Sequence, residues 1–344
     1  MMTLTDAALL TKKALIVSAI TLLLVLLSWG GYSYYMNYIY VAPVIEEKPT
    51  LDFGLLPSLK IPASNTTSSN FSYTLDTETG DLPGDAPKLM KVYPIAQLST
   101  DLLALDRAKN LSSNLGFGTS PEMLSVSQYR FNNKNGGQLI IGLDSGNFKF
   151  KKLLASDSAE LVETEEFINE EKLAQDFKNF LASNNLLNDQ LSEGRTKIEY
   201  DNFIKRDSKT TLISLWQTDI DKFPIVTQSY KDALVKAVVS KYRDEERKYI
   251  SLDYIYWPID LESPATYPIK TYSEAYEGLT NGDGLIILEP KNSTRPSITK
   301  VYLAYYLSEE YPSYLQPVFV FEGSDFAAFI PAIKDEFVSK EASN

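Results

Sequence analysis

The 344-residue chain contains no cysteine and no histidine. Without cysteine there can be no thiolate nucleophile and no iron–sulfur cluster on cysteine ligands. Without either residue there is no Cys–His or Ser–His–Asp catalysis and no zinc site of thiolate or imidazole. An enzyme built on this chain would have to use carboxylates, lysine, tyrosine, serine or a hard metal. Positive charge is also scarce: 33 Lys and Arg stand against 45 Asp and Glu, a formal net charge of −12. Nucleic acid rewards basic surface, so no nucleic-acid partner is expected, and broad adsorption on anionic lipid is equally disfavoured. No Gly-x-Gly-x-x-Gly and no phosphate-loop signature occurs, and no cofactor is expected. A large exported body without disulfides suits a bacterial or archaeal surface better than a eukaryotic secretory route. In that setting the Asn-x-Ser/Thr triplets at Asn65, Asn70, Asn110 and Asn292 read as ordinary polar loops.

Hydrophobic sequence is concentrated at one place. No charged residue occurs from Ala14 to Ile45, and the first half of that run, ALIVSAITLLLVLLSW, is almost wholly aliphatic. About 20 apolar residues at roughly 1.5 Å each cross a hydrocarbon core of about 30 Å. A transmembrane helix is therefore expected over 14–36. Lys12 and Lys13 precede it, which places a 1–13 tail in the cytoplasm and the rest of the chain outside. Trp29, Tyr32, Tyr34, Tyr35, Tyr38 and Tyr40 read as an outer aromatic belt. A cleaved signal peptide is the competing reading, with Ser28 and Gly30 as the small-residue pair. The uncharged run continues past them, which favours an uncleaved signal-anchor.

Residues 37–87 carry Pro43, Pro49, Pro57, Pro62, Pro83 and Pro87 with the polar patch SNTTSSN at 64–70. They read as an extended, mostly disordered tether, with FGLLP (53–57) as a piece that could dock on the body. From Lys88 the pattern is α+β. A helix is expected over 98–115, capped by Ser99 and stopped by Gly116. A second is expected over 164–181, with Leu173, Phe177, Phe180 and Leu181 as its buried stripe. A third begins at Thr271, where Thr271 and Glu274 have capping-box spacing. Strands are expected near 124–131, 138–143, 148–154, 196–205, 210–218, 233–242 and 248–257, with four more after the third helix. The layout reads as a first α+β module over 88–160, a second region over 161–336 that could hold two sub-modules, and a tail over 337–344. VYPIAQLSTDLLA (92–104) and TYPIKTYSEAYEG (266–278) share Tyr-Pro-Ile, a hydroxyl residue, an acid and a helix, which suggests an internal repeat.

In YLQPVFVFEG (314–323) both faces are mostly apolar, so both should be covered. An alternative makes Tyr302, Tyr306, Tyr314 and Phe319 the lining of a partner-binding groove. KTYSEAYEGL (270–279), ITKVYLAYYL (298–307) and YLQPVFVFEG together resemble the last module of the YycH/YycI type of extracytoplasmic regulator. That resemblance implies one N-terminal span and tandem PepSY-like modules of antiparallel sheet packed with helices. It also implies a non-catalytic role, binding or restraining a membrane sensor kinase. The long proline-rich tether and the tyrosine-rich belt depart from that pattern.

Other chemistry is weaker. Asp219 and Asp221 in TDID could hold a hard metal or make a turn. Glu309, Glu310, Glu322 and Asp325 could pair as glycosidase acids or sit as hairpin charges. RDEERK (243–248) reads as a solvated turn. The function expected is a membrane-anchored binding, regulatory or accessory protein of the cell envelope, its partner another membrane or envelope protein. No catalytic, cofactor or metal residues are assigned. The alternatives are a carboxylate-dependent surface hydrolase and a structural protein assembling through its span.

Overall fold

The computed structural model describes residues 4–34, 48–62, 64, 66–96, 100–153, 167, 169–241, 245–291 and 293–339. The chain forms two compact units, Met1–Lys48 and Pro49–Asn344. The first is the helix α1 (Leu4–Tyr34). Its segment Leu15–Tyr34 is 20 residues long, has a mean hydropathy of 2.0 and is long and apolar enough to cross a membrane. None of its large apolar side chains is covered, and Leu22 and Trp29 are 66% and 70% exposed. Three of its hydroxyls bond within the helix. Ser18 donates to Leu15 O, Thr21 to Val17 O and Ser28 to Val25 O, at 2.8–2.9 Å. A helix in hydrocarbon needs that internal satisfaction. Tyr35, Tyr38 and Tyr40 of the expected belt lie outside the described residues.

The second unit is α+β. Its strands are β1 (Thr74–Leu75), β2 (Leu89–Pro94), β3 (Glu122–Met123), β4 (Gln128–Asn132), β5 (Gln138–Gly142), β6 (Phe148–Lys151), β7 (Thr196–Tyr200), β8 (Thr210–Leu215) and β9 (Ile225–Val226). They continue as β10 (Val235–Ser240), β11 (Tyr249–Tyr254), β12 (Ala265–Pro268), β13 (Leu285–Leu288), β14 (Ser297–Ile298), β15 (Lys300–Tyr306), β16 (Tyr314–Glu322) and β17 (Ala327–Pro331). The helices are α2 (Ala104–Asn114), α3 (Glu170–Ser183), the single turns α4 (Asp189–Ser192) and α5 (Glu245–Lys248), and α6 (Tyr272–Asn281).

The first sheet has eight antiparallel strands in the order β3-β4-β5-β6-β11-β10-β8-β7. Phe148 and Phe150 of β6 point inward while Lys149 and Lys151 point out, the period-two pattern of a sheet with one covered face. The inner face packs on α2 and α3. All four stripe residues of α3, Leu173, Phe177, Phe180 and Leu181, are buried, and the Phe180 ring stacks on Tyr249 at 3.9 Å. Helix α3 is capped by Asn169, whose side chain accepts from Lys172 N. The expected start at Thr164 lies outside the described residues, as does Ser99. The first helix starts later than the spacing suggested, at Ala104, with no side-chain cap.

The second sheet runs β12-β2-β16-β15-β9, with β17 paired to β16 and β13 to β17. Strand β16 is buried on both faces, as the sequence implied. Leu303, Phe319 and Phe321 face the core that holds α6, and Ala304, Tyr306, Val318 and Val320 face a smaller cluster with Ile61. Pro317 sits where the neighbour on one side of β16 changes from β2, paired at Tyr314 and Leu315, to β17, paired from Val318 onward. The missing N–H thus falls at a break between ladders. Helix α6 has the full Thr271/Glu274 capping box and ends on Gly282 at φ +109. A left-handed stop of that kind is what glycine permits.

The two Tyr-Pro-Ile segments are neighbours in this sheet. Val92 pairs with Ala265 and Lys91 with Thr266, antiparallel. Exchanging the two segments maps one of these pairs onto the other, so their ladder is locally two-fold. The following isoleucines behave alike: Ile95 bridges Ile259 and Ile269 bridges Ile333.

Three expected boundaries are corrected. Strand β6 of the expected first module pairs with β11 of the second region, so one sheet crosses the 160/161 boundary. The described residues of 49–87 are not a loose tether, because they brace the body. Leu56 is fully buried; its N–H donates to Phe337 O and its carbonyl accepts from Ser339 N. Ser64 N donates to Ile286 O, Gln316 Nε2 to Pro57 O, and β1 pairs in parallel with β14. Residues 337–339 of the expected tail are likewise engaged, since Val338 bridges Leu56.

Candidate functional site

The four aromatics proposed as one groove do not form one. Phe319 is fully buried in the main core, with Tyr272 edge-on at 5.1 Å. Tyr306 is 2% exposed on the opposite face of the sheet, with Tyr302 half-buried beside it. Strand alternation separates them, because β15 and β16 are covered on both sides. Tyr302 donates its hydroxyl to Glu322 Oε2 at 3.2 Å. The Tyr314 ring lies against Phe53 at 4.8 Å, tilted by 30°. Tyr306 and Tyr314 do share a small pocket of about 240 Å³, closed by residues 57–60 of the supposed tether. Burial raises the Tyr306 phenol to about 12.

The larger cavity, about 650 Å³, opens between the outer face of the first sheet and the loop after β15. Gln128, Ile140 and Lys149 come from the first sheet, Asn147 from its β5–β6 turn, Trp257 from beyond β11, and Glu309, Glu310 and Tyr311 from the loop. Lys149 is there because alternation turns it away from Phe148 and Phe150. Its Nζ lies 2.8 Å from Glu309 Oε2 and 3.7 Å from Asp253 Oδ2. Burial works against the Lys149 ammonium, but the hydrogen bond to Glu309 and the charges of Asp253 and Glu309 outweigh it and raise its pKa. The loop is fixed from behind. Trp257 Nε1 donates to Ser308 O at 3.0 Å, Tyr311 donates its hydroxyl to Ile95 O at 2.9 Å, and the two rings meet edge-on at 5.5 Å. Asn147 accepts from Tyr256 N through Oδ1 at 2.9 Å, while its buried Nδ2 has no partner among the described residues.

The sites weighed for catalysis fall apart. Asp221 lies in a tight turn between Ile220 and Phe223 and binds Tyr93 and Lys91. Glu322 sits opposite Lys300 at the start of β15, whereas Glu309 follows that strand's far end. Among the described residues no cluster of three carboxylates could hold a metal ion. Residues 243–244 of RDEERK lie outside the described residues, and Lys248 pairs with Asp176 at 3.0 Å. The sequence reading missed the cleft because its walls come from four distant stretches. The one local signal was the Lys149 alternation. No protein-family model matches the chain, and no curated protein matches it in sequence.

Proposed function

We propose that the chain is a single-span protein of the cell envelope whose body lies outside the cytoplasm and binds another membrane or envelope protein without catalysis. The observation that carries this reading is the uncovered apolar surface of Leu15–Tyr34, joined in sequence to a folded acidic body. Such a helix is stable only in lipid or against other spans. Confinement to a membrane raises the local concentration of the body near its partner, so weak contacts suffice. The cleft between the sheets is the proposed contact. It offers an ion pair and two aromatic rings, a mixture suited to peptide recognition. The locally two-fold ladder of β2 and β12 supports a duplication, and with it the reading of the body as fused PepSY-like modules.

A photo-crosslinking amino acid placed at Tyr311, 38% exposed at the cleft, tests this in intact membranes. Capture of one distinct envelope protein is expected. Recovery of the chain alone would favour self-assembly, and glycan hydrolysis by the purified full chain would replace the binding role with an enzymatic one.

A further inference from the structure

Asparagine is chemically labile, and so to a lesser degree is aspartate, where the side-chain carbonyl can close on the next main-chain nitrogen to a succinimide. A following glycine favours the closure, because it has no side chain to shield that nitrogen. The chain has three such pairs, Asn135–Gly136, Asn281–Gly282 and Asp283–Gly284. By sequence the two asparagine pairs are alike. The fold separates them.

Asn281 is the last residue of α6, and Gly282 N donates to Gly278 O in the final helical turn. Helical backbone holds that nitrogen out of line with the Asn281 side-chain carbonyl. Gly284 is buried, and its N–H donates to Ser68 Oγ at 3.0 Å. The braced segment thus covers the aspartate pair. Asn281 and Asp283 are exposed, as Asn135 is, so exposure alone does not rank the three.

Asn135 stands in the turn between β4 and β5, followed by Gly136 at φ +83. Asn133 organises this turn. Its Oδ1 accepts from Asn135 N at 3.1 Å and from Gly137 N at 2.6 Å, and its own N–H donates to Gly137 O at 3.0 Å. Gly136 N, the nitrogen that closes the ring, has the longest bond of the set, 3.3 Å to Asn133 O. The Asn135 side chain makes no hydrogen bond among the described residues. Its carbonyl is free to turn towards Gly136.

We propose that Asn135 is a site of spontaneous deamidation and that the folded chain confines the reaction to it. Gly136 N bonds to Asn135 Cγ, the Cγ–Nδ2 bond breaks, and the side-chain nitrogen leaves as ammonia with the Gly136 amide proton. Water then opens the ring at either carbonyl. One opening leaves aspartate. The other leaves isoaspartate, whose main chain runs through the side-chain carbon and gains an atom. A carboxylate then stands next to Lys134, and the turn that Asn133 closes must be rebuilt. Turn geometry sets hairpin register, so the longer link loosens the tip of β4 and β5.

Full-length protein in detergent is aged at mildly alkaline pH beside the same chain unfolded in guanidinium chloride. Peptide mapping by mass spectrometry reads the amide-to-acid mass change at each asparagine, and an isoaspartyl methyltransferase reads isoaspartate. In the folded chain position 135 should convert many-fold faster than 281. In denaturant the two should keep pace, since only sequence then distinguishes them. Asn135→Gln should remove most of the ammonia released by the folded chain. Equal conversion at 135 and 281 in the folded chain overturns the proposal, as does an intact 135 there once the unfolded control has reacted. The same many-fold preference in denaturant would overturn the role of the fold. Amide exchange at 133 and 137 should quicken in the aged protein but not in aged Asn135→Gln, and unchanged exchange in both would overturn the loosened tip.

Discussion

Tyr93 donates its hydroxyl to Asp221 Oδ2 at 2.6 Å, joining strand β2 to the turn between Ile220 and Phe223. Lys91 Nζ reaches the same oxygen at 3.0 Å. Asp221 and Lys222 both hold left-handed backbone, φ +50 and +71, which non-glycine residues adopt only when the surroundings enforce it. The bond therefore ties the second sheet to a strained corner of the chain.

Loss of that hydroxyl in Tyr93→Phe should lower stability by about 1 kcal/mol, the low end for a charge-assisted bond, because Asp221 is 43% exposed. The hydrogen bond from Tyr93 lowers the Asp221 pKa, helped by Lys91. A depressed carboxylate contributes stability that is present above its ordinary value of about 3.9 and lost as pH falls through the folded value. Denaturant titrations at pH 7 and near pH 3 check this. Asp221→Asn should lose stability at pH 7 and show less further loss in acid.

At the alkaline end the buried tyrosines decide. Burial raises the phenols of Tyr254, Tyr302 and Tyr305, and that of Tyr306 to about 12. Their folded values lie above the unfolded value of about 10, so the stability they contribute is complete below pH 10 and drains away as pH rises beyond it. Phenolate absorbance should appear for this group in one step coincident with loss of near-ultraviolet circular dichroism. Gradual ionisation with the fold intact would contradict their burial.

Leu56 gives a sharp test of the braced segment. Leu56→Ala in full-length protein should cost about 2–5 kcal/mol, the range for a fully buried leucine. A loose tether would make the same change neutral. Denaturation in detergent, followed by tryptophan fluorescence, measures it.

That segment also marks where the sequence stopped being legible. The strands of the first sheet could be read because each alternates, as FKFK does in β6, and α6 because its Thr271/Glu274 box is local. Leu56, Ile61 and Ser68 are buried singly, and Leu56 and Ser68 bond to residues more than 200 positions away. No periodicity records such contacts. Tyr302, Tyr306, Tyr314 and Phe319 failed as a groove for a related reason. The sequence showed that both faces of β16 are apolar but not that each already had its cover. The cleft was invisible because only the fold brings Lys149, Trp257 and Glu309 together.

Charge reversal at the cleft rim separates binding from folding. Glu310 is exposed and lines the cavity, so Glu310→Arg should shift stability by no more than about 0.5 kcal/mol. Capture of the partner from Tyr311 should fall several-fold. Unchanged capture would move the contact elsewhere on the body.

The central claim, a permanent span with the body on the far side, is tested most directly by impermeant thiol labelling of sealed cells. Two variants each carry one cysteine, Thr3→Cys before the helix and Val126→Cys in the body. The account predicts that Val126→Cys reacts in intact cells and that Thr3→Cys reacts only after the membrane is opened. Reaction of Thr3→Cys alone in sealed cells, or a mature chain that has lost its N-terminal helix, would contradict it.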